Sequence, residues 1–143
     1  MAIYFFEEDI KARLEQKRLV KTWIKESIQK EKKNLGTLNY IFCSDDYLYQ
    51  MNVEYLQHNT LTDIITFDQS EIQDLIEGDI FISVERVKEN ALKFGVDYID
   101  ELHRVMIHGA LHLIGYKDKN KEQQSKMREK ENYYLKRRMF YAK

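Results

Sequence analysis

The stretch His108-Gly109-Ala110-Leu111-His112-Leu113-Ile114-Gly115-Tyr116-Lys117-Asp118 begins as a helix and ends as a bend. On a helix, positions 108 and 112 lie one turn apart on the same face, so two imidazoles can meet one metal ion. Gly115 offers a place to stop the helix. The chain beyond it can fold back and bring Asp118 to the same ion as an oxygen ligand. Two histidines at this spacing also fit two packed or solvent-facing rings, and three features favour the metal. The chain has four histidines, two of them in this pair. Leu111 and Leu113 flank His112, which places the pair at the edge of the core, where a neutral imidazole needs a partner. Gly115 and Asp118 supply the bend and the third ligand. His103 does not join them: at about 100° per residue it points about 140° from His108 and about 180° from His112. The position after the first histidine is Gly109, where the protease pattern H-E-x-x-H has its general base, so peptide hydrolysis by that route is disfavoured. A glycine there marks instead a close approach of another element to the helix backbone.

Upstream, acidic Asp97, Asp100 and Glu101 suit the dipole of a helix running from Asp97 to about Ile114. Val84 to Phe94 reads as a helix ended by Gly95. Thr62-Asp63-Ile64-Ile65-Thr66-Phe67 and Asp79-Ile80-Phe81-Ile82-Ser83 read as strands, with a polar connection from Asp68 to Gly78, and their adjacency favours antiparallel pairing. Ser44 can cap a helix whose inward face uses Leu48, Met51, Tyr55 and Leu56. Thr37 to Cys43 is rich in strand formers. Val20, Trp23, Ile24 and Ile28 recur at helical spacing in a segment from Lys11 to about Lys32, with a stop near Asn34-Leu35-Gly36. Ile3 to Phe6 is a short strand, and a last helix runs from about Lys121 to Met139. This order predicts an α+β fold in a single domain, residues 1–143. Its mixed, mostly short-stranded β-sheet packs against several helices, with the metal motif on a central one.

Composition bounds the function. The chain has 143 residues, 43% hydrophobic and 33% charged, which fits one soluble globular core. No apolar run reaches the length of a membrane span, and the N-terminus has neither a basic leader nor a long apolar segment, so the expected location is cytoplasmic. The lone Cys43 sits in an apolar strand and reads as a buried thiol. The net charge of −1 hides an uneven distribution. Residues 36–100 hold three basic side chains against thirteen acidic ones, whereas residues 121–143 hold eight basic against three acidic. Lys136, Arg137 and Arg138 are the densest basic run of that end, which fits either contact with phosphates or a solvated helix face. The acidic middle argues against a protein that coats nucleic acid over its whole surface.

Three blocks in order resemble the YbeY endoribonucleases, which act in ribosomal RNA maturation. The family pattern H-G-x-L-H-L-x-G-Y-D-H resembles His108 to Asp118. Its threonine-aspartate block resembles Thr62 to Phe67, and its glycine-aspartate-isoleucine strand resembles Gly78 to Ser83. The resemblance implies a zinc-dependent, single-strand-specific RNA hydrolase that binds one Zn2+ and acts on ribosomal RNA of the small subunit and in ribosome quality control. The small ribosomal subunit is the implied partner, with no membrane involved. The family's third histidine is replaced by Asp118, and two histidines with a carboxylate remain an ordinary catalytic zinc set. Lys117 stands where the family has aspartate. The family's arginine in the segment matching Met51 to Leu56 is replaced by Leu56, which cannot clamp a phosphate as a guanidinium does.

The expected metal ligands are therefore His108, His112 and Asp118. Asp63 and Asp79 are candidate bases or supports for the ligands, with turn capping at strand starts as their ordinary role. Asn52 is a candidate for orienting a group in the cleft. His58, in a polar stretch, is either an exposed loop residue or one that reaches substrate. Two other functions fit the same residues: an RNA- or ribosome-binding factor with a structural zinc, and a metal-dependent hydrolase of another substrate.

Overall fold

The structure is a computed structural model that describes residues 2–56 and 62–138. Its elements are β1 (Ala2–Glu7), α1 (Lys17–Lys30), β2 (Asn34–Cys43), α2 (Asp45–Leu56), β3 (Ile64–Asp68), β4 (Leu75–Ser83), α3 (Val84–Phe94), α4 (Tyr98–Ile114) and α5 (Lys121–Lys136). The four strands form one sheet in the order β1-β2-β4-β3. β1 and β4 each pair in parallel with β2, and β3 runs antiparallel to β4 on the edge. The fold is thus the mixed α+β arrangement that the element order predicts.

Alternation along the strands divides the sheet into two faces. Leu38, Tyr40 and Phe42 of β2 register with Gly78, Ile80 and Ile82 of β4, and all three β2 side chains are buried. They belong to the main core with α1, α4 and α5. Tyr40 crosses that core to donate its hydroxyl to the Met106 carbonyl of α4, at 2.8 Å. Cys43, Leu48 and Ile65 form a smaller core under α2 on the other face. Burial pushes the Cys43 thiol up to about 12, so it is an inert apolar side chain.

Local chemistry fixes the ends of the helices. Ser44 accepts the Tyr47 amide at the start of α2 and Ser83 the Arg86 amide at the start of α3, while Asn120 accepts the Gln123 amide opening α5. Gly95 (φ 67°) and Gly115 (φ 128°) end α3 and α4 in backbone conformations that disfavour a side chain. Gly109 sits where α4 crosses the sheet. A Cβ there would stand 2.8 Å from Ile64 Cδ1 and 2.9 Å from Ile80 Cγ2, so the close approach expected of this glycine is made by β3 and β4.

Several boundaries differ from expectation, among them the start of β2 at Asn34 rather than Thr37 and the end of α5 at Lys136. α1 begins at Lys17 rather than Lys11, because Ile10, Ala12 and Leu14 meet the core at every second residue, the spacing of an extended segment. α1 then stops at Lys30, and Lys32 (φ 64°) makes the turn expected of Gly36. Gly36 lies inside β2, with the Glu77 side chain where its Cβ would be. β4 starts at Leu75, so the connection from β3 is shorter than the polar run from Asp68 to Gly78. Among the described residues, no helix is long and apolar enough to cross a membrane.

Candidate metal centre

α4 carries both histidines on the edge of the core, and Gly115 turns the chain so that Asp118 comes back over them. Asp118 Oδ2 lies 3.4 Å from His108 Nε2 and 3.3 Å from His112 Nε2. Ligand atoms around a tetrahedral zinc, at bonds of about 2.0–2.1 Å, are separated by roughly 3.3 Å, so the three residues stand at metal-ligand spacing. One ligand atom from each of the three lies within 4.8 Å of the others, and they are the residues among those described that can hold a metal ion.

The other ring nitrogens are engaged from behind. His112 Nδ1 is 3.0 Å from the Tyr116 carbonyl, which can only accept, so Nδ1 carries the proton and Nε2 offers its lone pair. His108 Nδ1 is 2.6 Å from Glu131 Oε2 on α5. Glu131 is itself held by Arg104, at 2.8 Å through its other oxygen. A carboxylate behind a metal-binding histidine fixes the ring and raises its basicity. The donor set therefore fits a metal in both element and orientation.

Charges around the centre act in opposite directions. Burial works against a charged His108, but the hydrogen bond and charge of Glu131, with Asp118 and Asp63, outweigh it and raise the group above the ordinary histidine value. For Glu131, burial is likewise outweighed, by His108 and Arg104, and its carboxyl is lowered. Asp63 has the contrary balance: burial outweighs the attraction of His108 and raises it.

A cleft of about 290 Å³ opens beside the cluster, and Asp63, His108, Asp118, Arg104, Arg128 and Glu131 line it. Of the proposed catalytic residues, Asp63 is thus brought to the metal ligands. Asp79 is not. It lies on the opposite face of the sheet, where it accepts from Asn39 at 2.9 Å and Gln69 at 3.1 Å. Asn52 is buried in α2, the helix on that same opposite face. His103 is buried against Trp23 with Arg138 on its Nδ1, and it takes no part in the cluster. His58 and the side chain of Leu56 lie outside the described residues.

Residues 3–138 match the sequence model of the family described as Endoribonuclease YbeY. The chain belongs to the YbeY endoribonuclease family. Endoribonuclease YbeY of Cytophaga hutchinsonii is 52% identical over 138 residues, 96% of each chain. That of Amoebophilus asiaticus is 50% identical over 133 residues, 93% of this chain and 90% of the relative. The solution structure of TM1509 from Thermotoga maritima superposes with a TM-score of 0.66 at 27% identity, over 95% of this chain and 88% of that one.

The match to YbeY runs well beyond the blocks between Met51 and Asp118, taking in α1 and α5. α5 supplies the residue that sequence reasoning missed, Glu131. A signal for it exists: Met127, Glu131 and Tyr134 are the buried stripe of α5, and an acid on such a stripe requires a partner.

Proposed function

We propose that this YbeY-family chain is a zinc-dependent, single-strand-specific endoribonuclease that hydrolyses phosphodiesters of small-subunit ribosomal RNA during maturation and quality control. It works as one domain in the cytoplasm with one zinc ion on His108, His112 and Asp118. The observation that carries this reading is the pair of imidazoles whose Nε2 atoms face Asp118 while their Nδ1 atoms are held by Glu131 and the Tyr116 carbonyl. Among the described residues no fourth histidine, cysteine or carboxylate joins the three, and a cleft adjoins them. Three protein ligands beside a cleft support a catalytic rather than a closed structural site.

When bound there, zinc lowers the pKa of water toward neutrality and polarises a phosphoryl oxygen. The chain's own groups position and move protons. Asp63, raised by burial, keeps its proton to a higher pH than an ordinary carboxyl, and we assign it proton transfer at the scissile phosphodiester. Arg104 is fixed by Glu131 and Asn132. Arg128 makes a longer 3.7 Å approach to Glu131 and is 60% exposed, so its fork is available to a substrate phosphate. It brings to this cleft the kind of charge that Leu56 does not carry. We assign Asp79 and Asn52 to the framework around β4 and α2 rather than to the reacting atoms.

The deciding experiment is cleavage of an end-labelled single-stranded RNA by zinc-loaded wild type and His112→Ala, purified in parallel to control for contaminating nuclease. Cleavage by wild type alone is the expected outcome. Equal cleavage by both proteins, or by neither, would remove the reading.

A further inference from the structure

The outer side of α5 is not used by the metal centre, yet it carries a built arrangement of cations around one aromatic ring. Tyr133 is 42% exposed. The Arg137 guanidinium lies 5.4 Å from its ring centroid, and Lys30 Nζ reaches it from α1 at 5.9 Å. Lys126, Lys130, Tyr133 and Arg137 follow a helical spacing of four, three and four, so they form one stripe. An open groove of about 450 Å³ runs along it, lined by Lys126, Lys130, Tyr133 and Lys136 together with Asn132 and Glu129.

This groove is linked to the catalytic cleft by shared walls. Glu101 and Arg104 line both the cleft and a second depression beside it, and Asn132 and Lys136 line both that depression and the α5 groove. A strand leaving the metal cluster past Arg104 therefore reaches Lys136 and then Tyr133 by passing around the exposed half of α5. Non-specific single-strand sites combine these features, a basic groove that tracks the backbone and an aromatic face on which a base stacks. A duplex offers no unstacked base to such a ring.

We propose that Tyr133, flanked by Lys30 and Arg137, is a base-stacking platform for single-stranded RNA running out of the cleft along α5. This rests on the endoribonuclease reading above and extends it to a part of the substrate away from the scissile bond. It also revises which basic residues face RNA. Arg138, just beyond α5, has its guanidinium 3.1 Å from Asp100 and 2.8 Å from His103 Nδ1, so it is engaged by the N-terminal half of α4. The RNA-facing cations are Lys30, Lys126, Lys136 and Arg137.

The test is fluorescence anisotropy of a labelled 2′-O-methyl oligouridylate of about 12 nucleotides, within the usual single-strand site size, on the zinc-loaded full chain. Tyr133→Ala is expected to raise Kd about tenfold, and Tyr133→Phe, which keeps the stacking face, to stay within about twofold of wild type. Lys30→Gln and Arg137→Gln should each lower the salt dependence by about one phosphate contact. Zinc content should be the same in all four variants. A duplex of the same length should not distinguish Tyr133→Ala from wild type. Wild type that binds the single strand while Tyr133→Ala binds it equally well overturns the platform and leaves the enzyme reading standing. Equal loss in Tyr133→Phe, or an equal effect on the duplex, overturns stacking as its basis. Wild type that fails to bind overturns both.

Discussion

The two halves of α4 each carry a histidine, one buried and one half-buried at the edge of the core, and their surroundings drive the two rings in opposite directions. His103, 3% exposed, is lowered to about 3 by burial and then by the Arg138 guanidinium. His108, five residues on, is raised because the carboxylates of Glu131, Asp118 and Asp63 outweigh its burial. A cation beside a buried imidazole locks it neutral and makes it a structural acceptor. A carboxylate behind it makes it a stronger donor toward whatever stands at Nε2. Residue type and helix are the same, and the partner decides the role.

The sharpest way to break this contrast is to remove one ring from each half. His112→Ala should reduce zinc to background and abolish RNA cleavage, while His103→Phe should keep both, as read by metal analysis and a cleavage assay. The next largest effect belongs to Glu131→Gln. Loss of the carboxylate behind His108 should weaken zinc about 10- to 100-fold in a chelator competition, with the fold retained.

The same substitution has a pH signature. Zinc needs a neutral His108, so affinity should fall as pH drops through the raised value of that group. Removing the Glu131 charge lowers that value and moves the limb to lower pH. In the metal-free chain the sign reverses. Stability lent by charged His108 is fully present below its unfolded value, near 6.5, and is lost as pH rises through the folded one. Thermal melts of metal-free wild type and Glu131→Gln across that window should converge as the pH rises.

At His103 the linkage runs the other way. The folded ring refuses a proton that the unfolded chain accepts, so stability is present above about 6.5 and falls as pH drops toward about 3. At about pH 5 the loss is about 2 kcal/mol, which His103→Phe should abolish in denaturant titrations relative to neutral pH. The smallest effect separates neighbours at the end of α5. Replacing Lys136 and Arg137 by glutamine should weaken RNA binding at low salt and lower its salt slope by about one or two contacts with stability unchanged, whereas Arg138→Gln should lower stability. Loss of stability in the first variant, or its absence in the second, would erase the proposed boundary between interior and RNA-facing cations.

The cluster of His108, His112 and Asp118 was legible because its geometry is local. His108 and His112 share a helix face, and Gly115 announces the bend that returns Asp118. The β3–β4 hairpin was legible for the same reason, and the caps at Ser44 and Gly95 were too. What escaped depends on distant pairing. β4 sits between β2 and β3, and nothing in the sequence of either neighbour specifies that order. Glu131 and Arg138 look like members of a solvated charged helix until α5 packs on α4 and supplies His108 and Asp100 as partners. Asp79 shows the converse. In the sequence it opens an apolar strand run as Asp63 does, but β4 begins at Leu75, and the two-residue alternation turns Asp79 to the other side of the sheet.

Glu31 receives the hydroxyls of Tyr116 and Tyr134 and the ammonium of Lys130, joining α1, the bend after α4, and α5 at one carboxylate. The Tyr116 carbonyl that orients His112 is part of that bend. During synthesis, the helix that bears both histidines therefore emerges before α5 can close this junction or place Glu131 behind His108. A growing chain therefore carries the cluster of His108, His112 and Asp118 before the supports behind it, and Glu131 reaches His108 only once α5 docks on α4.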